Sequence, residues 1–443
     1  MIRRKLISKC FVILILLGLI GGAVYYQINL LPEEQIKLTT NTLTAQIIDT
    51  SDNTLTIRDN QNKTYTINLG TTEQNNSYIF SNQVTIRYTG DINDQYTIES
   101  ITVKYSQIIN GELDNETFSR ITNLAKSMSL EDKVGQLLLV LKSENLIDNQ
   151  TVAGCVLFEE DFKDKTRDEV INNIQGYQDD AKYPMLIGVD EEGGNLVRVS
   201  KYLRNNRFRL PQDVFAYGGM DSIISDATEK SEFLQEFGIN VNLAPVADVP
   251  LSEDDYIYTR SFGLDSQATS NYVKNVVSAM NDLHMGSVLK HFPGYGNAPG
   301  SSGTYHDTRE YSEFANRDLL PFEAGIEAGA NAILVTNNII DSMDDQNPAT
   351  LSANVHELLR NNLGYNGVIL TDDISGIDHQ EFGNDDQIAV KAIQAGNDLI
   401  MTSNPQSCFN AILNAVNNGE ISLNQLDISV LRVLAWKASL QLL

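Results

Sequence analysis

From residue 114 onward, short and nearly unbroken apolar runs alternate with longer stretches in which apolar residues recur at helical spacing. The runs are VGQLLLV, AGCVLFEE, PMLIGVDEE, VNLAPVADV, GSVLKHFPG, NAILVTN, GVILTDDIS and NDLIMTS. A half-exposed strand alternates apolar with polar, whereas a strand covered on both faces is apolar throughout. These runs therefore read as buried parallel strands. Between them, segments such as RDLLPFEAGIEAG and SANVHELLRNNLG have the length and spacing of amphipathic helices. Eight β/α units are what a closed barrel needs, so the pattern predicts an α/β fold, a (β/α)8 TIM-type barrel over residues 114–443. An open doubly wound sheet is the alternative, but no glycine-rich phosphate loop follows the first strand.

The preceding segment has a different rhythm. LTAQIIDT, NTLTIRD, KTYTINL, QVTIRYTG and YTIESITVKY alternate apolar and polar residues and are rich in Thr, Ile, Val and Tyr. The turn-forming clusters SDN, DNQNK and GDIND separate them. This predicts a small antiparallel all-β domain over residues 38–108, with a spacer or wall-binding role. Earlier still, Arg3, Arg4, Lys5 and Lys9 precede the apolar run CFVILILLGLIGGAVYY. A run of about 17 apolar residues just spans a bilayer core. The basic cluster belongs on the cytoplasmic side. The reading is a cytoplasmic tail at 1–9, a transmembrane helix at 10–28 as a single-pass plasma-membrane anchor, and the remainder outside. A cleaved signal peptide is the alternative, although the run is long for one and no A-x-A site follows.

Charge narrows the partners. The net charge is -26, from 58 acidic and 32 basic residues, which argues against binding nucleic acid or anionic lipid through a basic surface. Cys10, Cys155 and Cys408 have neither metal-ligand spacing nor a disulfide framework, so buried thiols are expected. No nucleotide-binding motif is present, and no cofactor is expected.

A β/α barrel carries its chemistry at the C-terminal ends of its strands. Polar residues close several of the apolar runs: Asp190-Glu191-Glu192-Gly193-Gly194, Asp248, Lys290-His291, Asn337 and Asp372-Asp373. One such acid could be a helix cap. Several strands ending this way point to a shared polar pocket.

Four motifs occur in order: IGVDEEGGNLVR, TRSFG, KHFPGYG and GVILTDDIS. Together they resemble the N-terminal barrel domain of glycoside hydrolase family 3, over roughly residues 116–443, and most of all its single-domain β-N-acetylhexosaminidases. The resemblance implies a retaining, exo-acting hydrolase of cell-wall or chitin-type glycans, with β-glucosidase or phosphorylase-like chemistry as variants. It implies that Asp372 is the nucleophile, forming a covalent glycosyl-enzyme. It also implies that Asp190, Arg198, Arg260, Lys290 and His291 grip sugar hydroxyls. Metal is not needed for this chemistry. The plainer alternatives are an N-cap for Asp372, fixed ion pairs for Arg198 or Arg260, and a loop-shaping role for His291. Asp373 is expected to be structural, either a cap or a partner that supports a site residue, Gly193 and Gly194 a tight turn, and His284, His356 and His379 surface or helix residues.

The second catalytic group departs from the pattern. Relatives carry Asp-x-His on a mobile loop after KHFPG, where the histidine is the acid/base and the aspartate tunes it. Here the loop reads GNAPGSSGTYHDTR, without that pair. One alignment places the expected pair at Ser301 and Gly303. The other makes His306 the acid/base, with Thr304 in the aspartate's place, and Asp307 has as its alternative a match to a structural Asp-x-Arg. Its Gly, Ser and Pro content suits a mobile lid. A sugar-binding protein without turnover is therefore the rival function.

Overall fold

The computed structural model describes residues 40–51, 54–69, 82–104, 113–141, 151–296, 298–300 and 304–443. The expected anchor at 10–28 lies outside them, and no helix among the described residues is long and apolar enough to cross a membrane. Packing divides the chain into two units, one of residues 1–41 and 87–99 and a larger one of residues 42–86 and 100–443.

Five strands precede the barrel: β1 (Asn41–Ser51), β2 (Thr54–Arg58), β3 (Thr64–Asn68), β4 (Gln83–Gly90) and β5 (Tyr96–Lys104). Their order is β3-β2-β1-β4-β5. Alternation sets one face inward, with Ile47, Leu55, Ile57, Ile67, Val84 and Ile86 fully buried within the larger unit.

Among the described residues thirteen further strands follow in chain order. They begin with β6 (Leu138–Leu141), β7 (Gly154–Leu157) and β8 (Leu186–Val189), then the hairpin β9 (Glu191–Gly193) and β10 (Leu196–Val197). Next are β11 (Val241–Asn242), β12 (Gly286–Phe292), β13 (His306–Asp307) and β14 (Ala332–Val335). The last are β15 (Ile339–Ile340), β16 (Asp344–Pro348), β17 (Val368–Thr371) and β18 (Ile400–Thr402). Eight of these form one parallel sheet in the order β17-β14-β12-β11-β8-β7-β6-β18. The ends β17 and β18 meet at a parallel bridge between Leu370 and Leu399, so the sheet is a nearly closed barrel and the doubly wound alternative falls. Each of the eight apolar runs supplies one barrel strand, though in the first run Val134 and Gly135 end a helix (Leu130–Gly135) instead.

Two cores explain why the runs are apolar throughout. Leu139, Leu141, Val156, Leu186, Val288, Leu334, Val368, Leu370 and Met401 point into the barrel. Their neighbours Leu138, Val140, Cys155, Ile187, Leu289, Ile333, Ile369 and Ile400 pack against the surrounding helices. The last helix (Leu423–Ser439) adds Val433 and Trp436 to the inner cluster. Its side chains also reach the sheet: Arg58 pairs with Asp427, which receives Lys133 Nζ at 2.7 Å, and Arg58 Nε donates to Asn424 Oδ1 at 2.7 Å.

Candidate active site

The strand ends converge as barrel geometry requires. Asp190 leaves β8, Lys290 and His291 lie in β12, and Asp372 leaves β17. Lys290, its side chain 2% exposed, donates to Asp190 Oδ1 at 2.7 Å and lies 2.6 Å from Glu192 Oε1. Arg260 takes the same Glu192 in a two-pronged grip, Nε to Oε2 at 3.0 Å and Nη2 to Oε1 at 2.7 Å. Burial alone would raise the Glu192 carboxyl, but Lys290 and Arg260 outweigh it and hold it at about 2. Burial opposes the charge on Lys290 too, yet Asp190 and Glu192 raise its affinity for the proton. The result is a fixed, ionised lattice at the barrel mouth.

His291 is held from two sides. Its Nδ1 lies 2.8 Å from Asp248 Oδ2, and its backbone N–H donates to the same oxygen at 3.1 Å. A carboxylate only accepts, so Nδ1 carries the hydrogen and Nε2 faces Arg260 Nη2 at 3.4 Å. Asp248 also accepts from the Tyr295 N–H at 2.7 Å. The loop-shaping and site roles of His291 thus coincide. Arg198 Nη2 lies 3.8 Å from Asp190 Oδ2, while its buried Nε has no partner among the described residues. Arg260 is the fixed ion pair considered above, with Glu192 as its partner.

Asp372 follows β17, its N–H donating to Val335 O at 3.1 Å and its Oδ1 accepting from the Asp373 N–H at 2.8 Å. The cap is Asp373, whose side chain accepts from the Ser375 N–H at 3.0 Å. That leaves Asp372 for other work. Burial, then the charge of Asp372, raises the Tyr295 phenol, so Asp372 lies within electrostatic reach of the Asp248–His291 group.

Two residues that the sequence singled out at strand ends without an assigned role belong to the site. Glu192 is the hub between Lys290 and Arg260, and Asp248 fixes His291. Alternation held the signal for Glu192. On extended chain, Asp190 and Glu192 face one way and Glu191 the other. Glu191 turns away to accept the N–H groups of Arg198, Val199 and Ser200 at 3.0, 2.9 and 3.2 Å. Gly193 ends β9 and Gly194 opens the hairpin turn, with φ of 116° and 62°. A Cβ on Gly193 would sit 2.2 Å from Arg209 O.

His306 lies on β13, not on a free loop. The strand pairs parallel with β15, His306 opposite Ile339 and Asp307 opposite Ile340. His306 Nδ1 lies 2.8 Å from Asp341 Oδ1. Its neighbour Asp307 is committed to Arg309, Nη2 to Oδ2 at 2.7 Å, and Arg309 also reaches Asp318 at 2.9 Å. Asp307 is thus the structural Asp-x-Arg aspartate. Residues 301–303, including the alternative positions Ser301 and Gly303, lie outside the described residues. Of the remaining histidines, His356 is buried on its helix with Nδ1 against Ser352 O, and His379 pairs with Asp385 at 3.0 Å.

No group of three or more His, Cys, Asp or Glu among the described residues could hold a metal ion.

The chain is similar to several known proteins. A beta-hexosaminidase from Haemophilus influenzae is 30% identical over 294 residues, covering 63% of this chain and 80% of the relative. Among solved structures, a glycoside hydrolase family 3 beta-N-acetylglucosaminidase from Paenibacillus sp. superposes with a TM-score of 0.66 at 26% identity, covering 71% of this chain. This chain spans 63% of the Paenibacillus one. A beta-N-acetylhexosaminidase from Beutenbergia cavernae gives a TM-score of 0.62 at 26% identity, covering 70% of this chain and 99% of the other. The model of the glycosyl hydrolase family 3 N terminal domain matches residues 129–436, and the chain belongs to that family.

Proposed function

We propose that the protein is a retaining, exo-acting β-N-acetylhexosaminidase of cell-wall or chitin-type glycans. Asp372 attacks the anomeric carbon and forms a glycosyl-enzyme, and His306 serves as acid/base. Asp190, Arg198, Arg260, Lys290 and His291 hold the hydroxyls of the terminal sugar. The observation that carries the reading is the lattice of Lys290, Asp190, Glu192 and Arg260 at the strand ends, on the face where Asp372 emerges. Charged, immobilised donors and acceptors suit a neutral polyol, and a carboxylate left out of capping suits a nucleophile.

The basic-then-apolar N-terminus supports placing this activity outside the membrane, anchored by residues 10–28. Release of the whole protein by a salt wash of membranes would contradict the anchor.

The deciding experiment combines turnover with trapping. Wild type is expected to release aglycone from an aryl β-N-acetylglucosaminide, and Asp372→Asn to lose at least about 10³-fold in kcat. A fluorinated sugar should leave a mass adduct on the peptide containing Asp372. Equal rates in the two proteins, or an adduct elsewhere, would refute the assignment.

A further inference from the structure

Five histidines occur in the chain. His284 spends Nδ1 on Ser439 O at 3.2 Å and Nε2 on Gln441 at 2.8 Å, just before β12 begins and so at the end of the barrel away from the site. His356 is buried, and both ring nitrogens of His291 are engaged. His379 presents Nε2 to Asp385, which is also tied to Asn404. His306 differs from them. A carboxylate holds its Nδ1, and its Nε2 has no partner among the described residues.

The position of His306 is fixed by backbone. Ile339 N–H donates to Tyr305 O at 2.9 Å and Asp341 N–H to Asp307 O at 3.0 Å, so the ladder brackets His306 and carries Asp341 to its side. Thr304 Oγ1 accepts from the Asp378 N–H at 3.3 Å, which ties the same strip to the segment after Asp372. Asn337 Nδ2 donates to Asp373 O at 2.8 Å, joining the β14 and β17 ends directly. His306, Asp341 and Asp372 are therefore carried by segments stitched together on one rim.

We propose that Asp341 is the positioning residue for His306. It supplies from across a strand pairing the carboxylate that the local sequence Thr304-Tyr305-His306 lacks. The inference rests on the retaining reading given above. Asp341 accepts the Nδ1 hydrogen and so leaves Nε2 as the proton-transferring atom. In the first step Nε2–H protonates the glycosidic oxygen. The anomeric C–O bond breaks while an Asp372 oxygen bonds to that carbon, and the imidazole becomes neutral. In the second step Nε2 takes a proton from water as its oxygen bonds to the carbon and the Asp372 ester breaks. The imidazolium is restored beside Asp341, which stabilises its charge.

The test uses full-length protein and two aryl β-N-acetylglucosaminides, one with a dinitrophenol leaving group and one with plain phenol. Asp341→Asn preserves shape and leaves the backbone ladder untouched. It should lower kcat about 10- to 100-fold on the phenyl substrate. The loss should be far smaller on the dinitrophenyl substrate, with KM little changed. His306→Ala should show the same leaving-group pattern more severely, and the double variant should be no worse than His306→Ala. Asp341→Glu should recover part of the rate, and His379→Ala should leave both rates unchanged. Full activity of Asp341→Asn beside an impaired His306→Ala overturns the role of Asp341, as does an undiminished Asp341 effect in the His306→Ala background. An unimpaired His306→Ala beside a dead Asp372→Asn removes His306, and Asp341 with it. An active Asp372→Asn sinks the retaining reading itself.

Discussion

Glu192 shows how one side chain governs a site it need not enter. With its side chain 2% exposed, it neutralises parts of both Lys290 and Arg260. Removing the charge while keeping the shape, as in Glu192→Gln, leaves two buried cations facing each other with only Asp190 close by. Breaking a buried ion pair on one side costs about 3–5 kcal/mol. A urea melt of that variant should shift by such an amount, with kcat/KM falling at least tenfold, and a shift under about 1 kcal/mol would deny the residue its hub role. The pH sign follows from the direction of the shift. The carboxyl drops from an ordinary 4.5 to about 2 on folding, so its contribution is complete above pH 4.5 and fades as pH falls from there towards 2. Glu192→Gln should lack that portion of the acid-induced loss.

At the level of elements, legibility tracked length. The barrel strands could be read because burial on both faces removes polar residues from a whole run, and Asp190, Lys290 and Asp372 because they end such runs. Two-residue strands carry no period, so β13 and β15 were invisible. With them went the contact that brings Asp341 to His306, 35 positions away along the chain. The loop composition suggested a mobile lid. Residues 304–307 instead sit in or beside a ladder, because the buried Ile339 and Ile340 anchor its partner strand.

The closing helix Leu423–Ser439 holds a second feature that composition could not reveal. Lys437 is fully buried, donates to Gln136 Oε1 at 2.7 Å, and is pushed down by burial from 10.5 to about 7. Between those values the unfolded chain holds a proton that the folded chain lacks, so this lysine makes stability rise with pH from about 7 to 10.5. Below that window its effect is constant. Lys437→Met should erase the rise, several kcal/mol in all, when denaturant stability is compared with wild type across pH 7 to 10. Parallel curves for the two proteins would place the lysine's proton elsewhere.

At the scale of the whole molecule, the sheet and the barrel share charge. Asp427, its side chain 3% exposed, is neutralised by Arg58 from β2 and by Lys133 from the barrel's own first helical turns. Arg58→Met leaves one cation in place, so the expected loss is about 1–3 kcal/mol, below that of a fully orphaned buried charge. Thermal melting should register it as one cooperative transition moved down in temperature. A low-temperature step confined to the sheet would mean instead that sheet and barrel unfold independently.

That shared carboxylate separates two boundaries that are easily equated. Likeness to the family begins at residue 129, and by that measure the barrel stands alone. Charge balance draws the line some 70 residues earlier, at Arg58, because one of the two cations on Asp427 comes from there and only Lys133 lies within the family match. The unit that recurs among relatives is thus smaller than the unit over which this carboxylate's charge is balanced. A graft moving this barrel behind another leader would leave Asp427 with Lys133 alone and should lose the same increment as Arg58→Met, unless a cation replaces Arg58.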